Sequence, residues 1–256
     1  MKLKYILLSI AITTFLFMPT SALAWGPDRP TYTNQSPADH ATFNSITDNA
    51  AVGDERDFVR IEEKNSGRPY SSKITLEAGK QYEVYIYYHN NASATYNDDK
   101  HNYAGVASDV RLASSFPLQL AAGEEGEVSG VISWTTLADR NTKQEVWDEA
   151  WITATEDMTL HYVTGSAKIY NGGNANGSVL STNLFSEQGT YLGYNELNGA
   201  VPGCDEYAGQ VVYTIQTETT KPSKSGFNKT IVISLAVTFV VCLAIIVCVI
   251  VKNRKN

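Results

Sequence analysis

The stretch Tyr82-Glu83-Val84-Tyr85-Ile86-Tyr87-Tyr88 decides the fold. Its period of two places Tyr82, Val84, Ile86 and Tyr88 on one face and Glu83, Tyr85 and Tyr87 on the other, with His89 following on the second face. An apolar face opposite a mixed one, rich in aromatic and β-branched residues, is the mark of a half-buried strand. Gly79 before it and His89-Asn90-Asn91 after it read as turns. Working outward, similar runs predict strands at Phe58–Glu62, Lys73–Leu76, Val106–Leu112 and Glu127–Trp134. The second half adds Ala150–Ala154, Thr159–Val163, Ala167–Tyr170, Thr190–Gly193 and Gln210–Thr217. No stretch between Trp25 and Thr220 keeps a helical period for three turns. Short strands at spacings of about 8 to 20 residues predict an all-β, antiparallel sandwich.

The two ends predict an address. Lys2 and Lys4 precede an apolar run from Tyr5 to Met18, and Ala22-Leu23-Ala24 has the small-x-small pattern of a cleavage site. Residues 1–24 are therefore expected to be a signal peptide, with an uncleaved signal anchor as the alternative. Ile231 to Val251 is apolar throughout apart from two hydroxyls and two thiols, and Lys252, Arg254 and Lys255 close it. As a helix those 21 residues reach about 31 Å, the thickness of a bilayer's hydrocarbon core. One C-terminal transmembrane helix is expected at 231–251, contacting the cell membrane, with a cytoplasmic tail at 252–256. Between the ends the expected order is an extended N-terminal arm at 25–54, the sandwich at 55–218 and a stalk at 219–230. The pattern predicts a single-pass plasma-membrane protein with an extracellular ectodomain.

Charge narrows the partners. Residues 25–220 hold all 27 acidic residues but only 12 of the 20 basic ones, a net charge of −15. Nucleic acid needs a basic footprint and is excluded as the expected partner. The region has one cysteine, Cys204, so no internal disulfide can brace it. The thiol is expected to be a buried small apolar group, with an intermolecular disulfide as the sharper alternative.

A resemblance rests on the order of motifs. Gly79-x-x-Tyr82-x-Val84-x-Ile86, His89-Asn90-Asn91, Val106-Ala107-x-Asp109-Val110-x-Leu112, Phe116-Pro117 and Leu160-x-Tyr162-Val163-x-Gly165-Ser166 together resemble the conserved repeat domain DUF11. The likeness covers about residues 73–217. The chain departs from the family pattern in its turn, in Phe116-Pro117 where Leu-Pro is usual, and in a long insertion. With Phe43-Asn44-Ser45-Ile46-Thr47-Asp48 and Gly53-Asp54-Glu55-Arg56, it is also similar to uncharacterised single-pass surface proteins of candidate-phylum bacteria. The resemblance implies an Ig-like sandwich at a bacterial cell surface, and it supplies no catalytic residues.

The chemistry in the sequence is sparse. There is no Gly-x-Ser-x-Gly elbow and no zinc-protease helix motif, and His40, His89, His101 and His161 are scattered, so an enzyme is not expected. Asp54, Asp57, Asp98 and Asp99 offer hard oxygen ligands, which makes calcium the one candidate cofactor, although neither cluster has the spacing of a calcium loop. A solvated acidic turn is the competing reading. Tyr85 and Tyr87, on the outer face of one strand, are the candidate ligand-binding pair, because stacked rings take glycans; cross-strand packing is the alternative. Packing is expected for Trp134, Trp147 and Trp151. The expected function is adhesion or the binding of a protein or glycan on a cell surface. The alternative is a structural envelope component that self-associates or packs on wall polymers.

Overall fold

The computed structural model describes residues 25–220. The signal peptide, transmembrane helix and tail predicted above, and most of the stalk, lie outside the described residues. Among the described residues, no helix is long and apolar enough to cross a membrane.

Twelve strands form the body: β1 (Trp25–Gly26), β2 (Val59–Glu63), β3 (Lys73–Leu76), β4 (Gln81–Tyr88), β5 (Ala107–Ser115) and β6 (Gln119–Leu120), then β7 (Glu125–Thr136), β8 (Gln144–Ala154), β9 (Met158–Tyr162), β10 (Lys168–Asn171), β11 (Thr190–Tyr191) and β12 (Gly209–Thr219). One sheet runs β1-β8-β7-β5-β11, with β3 also on β8; the other runs β2-β4-β12-β9-β6, with β10 also on β12. Every pairing is antiparallel except β3 with β8. The chain leaves β2 in one sheet and enters β3 in the other.

The alternation in β4 survives in the fold. Tyr82, Val84, Ile86 and Tyr88 are buried while Glu83, Tyr85 and Tyr87 lie half-buried on the opposite face. The inner face meets Val128, Ile132 and Ile152 of the second sheet in one continuous core. Gly130 is required for that approach, since a Cβ there would stand 2.8 Å from Val59 Cγ2 across the sandwich. Core tyrosines find partners for their hydroxyls, as desolvation demands. Tyr213 is fully buried, and its hydroxyl meets Ser114 Oγ at 2.8 Å, tying β12 to β5 across the two sheets. Burial pushes the Tyr88 phenol up to about 12 although Asn171 donates to it.

With no disulfide, a carboxylate links the sheets. Asp148 occupies an inward position of β8, 0% exposed, between Val146 and Ala150. Its Oδ2 accepts from Phe58 N at 2.5 Å and Val59 N at 2.7 Å, capping the start of β2 in the opposite sheet.

All ten predicted strands are present, with ends shifted by a few residues and β8 extended back to Gln144. The two-residue strands β1 and β6 lie outside the predicted runs, while the equally short β11 falls within one. Residues 27–57 contain only isolated bridges, yet Ala38, Ala41, Phe43 and Ile46 are buried. Phe43 packs on Trp134, ring centroids 4.9 Å apart. Arg29 staples the segment by donating to Ser45 Oγ and the carbonyls of Asn44 and Gly26, and burial with a nearby Arg56 lowers its pKa to about 10.

Candidate functional site

Three pieces of chain meet where β4 ends: the segment around residues 38–55, the loop 89–106 and the segment 201–208. The strand ends explain the convergence, because Val59 of β2 pairs with Ile86, Gly209 of β12 with Tyr88, and Ala107 of β5 with Thr136. β12 starts there at Gly209 and finishes at Thr219, about 33 Å away for an 11-residue strand. The chain thus leaves the described body at the opposite end.

Three consecutive polar residues hold the convergence together, and all are buried: His89 1%, Asn90 0% and Asn91 1% exposed. Asn90 Nδ2 donates to the carbonyls of Gly105 and Val201, and its Oδ1 accepts from Thr42 N. Asn91 Oδ1 accepts from Ser45 N. His89 N donates to Asn44 Oδ1, while Asn44 N donates to His89 O. Asn44 adopts a left-handed φ of 47°, which Asn tolerates better than most side chains. Without these bonds the loop backbone would be buried and unpaired.

Glu55, 0% exposed, sits beneath them. Its Oε1 accepts from Asn49 Nδ2 at 2.6 Å and lies 2.8 Å from His89 Nδ1; its Oε2 accepts from Asn91 Nδ2 at 2.6 Å. Asn91 Nδ2 also lies 2.9 Å from His89 Nδ1, so that nitrogen is shared between the carboxylate and the amide, while Nε2 is buried on the other side of the ring. Among the described residues Nε2 has no hydrogen-bond partner. Asp205 Oδ1 stands 3.2 Å away, on a side chain that is 71% exposed, but its direction is not that of a hydrogen bond.

His89, Asn91, Cys204 and Asp205 line a hollow of about 220 Å³, with Asn34 and Ile46 among its other walls. Cys204 is half-buried rather than fully buried, and its φ of 126° is strained for a residue with a Cβ. The preceding Gly203 lies so close to Ala92 that a Cβ there would meet its Cβ at 2.5 Å. Backbone strain beside an unpartnered, buried imidazole marks this hollow as the candidate site.

Two further surfaces are open. Phe116, Tyr162 and Phe185 pack edge and tilt on Tyr213 and wall a groove of about 380 Å³ beside Leu118, which is 70% exposed. Ser114 and Ser115 of β5 bound it, and Ala113 to Ser115 pair with β7 alone, since the β11 pairing ends at Leu112 of β5. Elsewhere the Arg111 guanidinium lies 3.9 Å over the Tyr191 ring and bonds Asp109.

The residues singled out in the sequence lie as follows. Tyr85 packs on Tyr70, ring centroids 5.0 Å apart, and Tyr87 accepts from Asn49 and faces His89. Burial raises both phenols. Tyr87 is therefore a wall of the Glu55 network. Asp54 takes three hydrogen bonds from the Arg56 guanidinium; burial works against its charged form, and Arg56 outweighs it to hold the carboxyl low. Asp57 is raised by burial despite Arg60 at 3.3 Å. Asp98 caps the 3-10 turn Asp99–His101 by accepting from His101 N and contacts His101 Nδ1 at 2.7 Å. Among the described residues no group of three or more His, Cys, Asp or Glu is arranged around a common ion position. Glu55, His89 and Asp205, which the site does use, had no local signal beyond a polar triplet ending an alternating strand.

No protein-family model matches the chain, and comparison with curated proteins and with solved structures finds none that is similar.

Proposed function

We propose that this chain is a membrane-anchored bacterial cell-surface protein whose Ig-like, DUF11-like sandwich binds a partner on a cell surface. Recognition is assigned to the loop-built end that carries the His89 hollow. The carrying observation is the direction of β12, which starts beside the hollow at Gly209 and ends at Thr219, at the other end of the sandwich. Loops grouped on a rigid scaffold are the usual place for binding residues. The signal-like start, the apolar run at 231–251 and the net acidity of the displayed region support the surface reading. A partner with a basic or polar face fits that charge.

Protease added to intact producing cells should degrade residues 25–220; their protection would overturn the surface reading. The full chain should retain a discrete partner from surface extracts, and Asp205→Lys, at the exposed rim, should weaken that retention. Equal retention by the variant would move recognition away from the hollow.

One observation favours the envelope reading. Ala113–Ser115 of β5 have an unpartnered edge beside the Phe116–Phe185 groove, a template for strand pairing. Concentration-dependent assembly in sedimentation, blocked by Ser114→Pro, would establish it over adhesion.

A further inference from the structure

We propose that the cleft along the free edge of β11 binds a neutral saccharide. This second recognition site lies on the flank of the sandwich; it goes beyond the His89 hollow and does not rest on it.

β11 pairs with β5 alone and ends its sheet, so its other edge is free. A cleft of about 700 Å³ runs along that edge, a size common among pockets that hold small ligands. Thr190 lines it and is only 6% exposed. Its hydroxyl has no hydrogen-bond partner among the described residues, and it is not sealed in as the unpartnered atoms of Trp134 and Asp148 are. A buried hydroxyl ordinarily has a partner, and here the cleft is the side left open for one.

Beside Thr190 stands a wall that is rigid before anything binds. Tyr191 is the cross-strand partner of Arg111, whose guanidinium lies 3.9 Å over its ring. Arg111 Nε donates to Asp109 Oδ1 at 3.0 Å, and Nη2 donates to the Tyr191 hydroxyl. Gly199, with a φ of 80°, packs so closely on the same ring that a Cβ there would stand 2.9 Å from its Cδ1. A wall already held in place has little freedom left to lose on binding. Among the described residues Arg111 Nη1 has no partner, so its N–H groups remain for a ligand. Tyr191 and Val179 are both exposed and set apolar surface next to those donors. A sugar ring presents the matching mixture, C–H groups between hydroxyls.

The remaining lining decides the class of ligand. Asn183 and Gln188 both line the cleft, and neither side-chain amide is bonded to another described residue. Amides and hydroxyls donate and accept alike, as the hydroxyls of a sugar do. Among the described residues of the lining Arg111 alone is charged, and Asp109 pairs with it. The net charge of −15 over residues 25–220 repels an anionic glycan, whereas a neutral one meets no such cost. A peptide strand finds too short a template, since β11 is two residues long.

The test applies the full chain, purified in a detergent without a sugar headgroup, to an array of immobilised oligosaccharides. One set is neutral, built from glucose, galactose, mannose and N-acetylglucosamine; a matched set carries a uronic acid. Expected is saturable retention on at least one neutral oligosaccharide, displaced by the same sugar in solution. Gln188→Ala, on an exposed side chain, should leave Tm unchanged and weaken that binding about three- to tenfold, the worth of one neutral hydrogen bond. Thr190→Val, which keeps the shape and removes the hydroxyl, should weaken it by about the same factor. Asp205→Lys, at the His89 hollow, should bind the sugar as the wild type does. Retention of no oligosaccharide, or only of the acid-bearing ones, overturns the proposal. So does wild-type affinity in both Gln188→Ala and Thr190→Val, and so does loss of sugar binding in Asp205→Lys, which would place the sugar in the hollow instead.

Discussion

Glu55 and Asp148 are both carboxyl groups with no exposed surface, and they are held in opposite ways. Glu55 is met by three side chains, two amides and an imidazole, that satisfy both of its oxygens. Asp148 is met by backbone: one oxygen accepts from Phe58 N and Val59 N, and the other has no hydrogen-bond partner among the described residues. Burial raises the Asp148 pKa to about 7 against the pull of those amides, and the charge of Asp57 adds to the rise. One carboxyl organises a site; the other braces two sheets. The difference teaches that burial alone does not assign a role to an acid, whereas the nature of its donors does.

Removing the first acid should do the most damage. Glu55→Ala leaves the Asn49, Asn91 and His89 donors buried without their acceptor, and should cost about 5 kcal/mol in urea unfolding, the upper end for a broken buried pair. A loss below about 1 kcal/mol would mean that the network is solvated.

The second acid should reveal itself through pH. Asp148 binds its proton more tightly folded, near pH 7, than unfolded, near 3.8, so between those values the native state carries the extra proton. The contribution of Asp148 to stability should therefore be greatest below about pH 4, fall as pH rises, and level off above about pH 7, by a few kcal/mol, on the order of 4, in all. Asp148→Asn keeps an acceptor for both amides and should remove that slope. A slope that persists unchanged would assign it to another group.

The smallest effect should come from the acid nearest to Glu55 in sequence. Asp54 pairs with Arg56 at a partly exposed position, and Asp54→Asn should cost about 0–1 kcal/mol, less at high salt. A loss comparable with that of Glu55→Ala would erase the contrast.

Residue pattern alone located the strands, because an alternating run such as Tyr82 to Tyr88 carries its own face assignment in neighbouring residues. It failed for Trp25–Gly26 and Gln119–Leu120, which sit outside any alternating or β-branched run and owe their conformation to the strands they meet. It did not isolate the site. In Asp54-Glu55-Arg56-Asp57 the aspartates look like ligands, but the chain turns them to arginines and sends Glu55 inward. His89-Asn90-Asn91 reads as a polar turn, and its burial follows from the Phe43–Ser45 segment laid over it.

Local period and composition were enough to specify an all-β body, ten of its twelve strands and the inner face of β4, since a strand's two faces are written every second residue. Which acid is buried, which histidine lacks a partner and which end of the sandwich gathers the loops were decided by contacts between distant residues, 34 apart for Glu55 and His89 and 89 apart for Val59 and Asp148. The free energy of a buried charge depends on the donors placed around it, and only the folded chain places them.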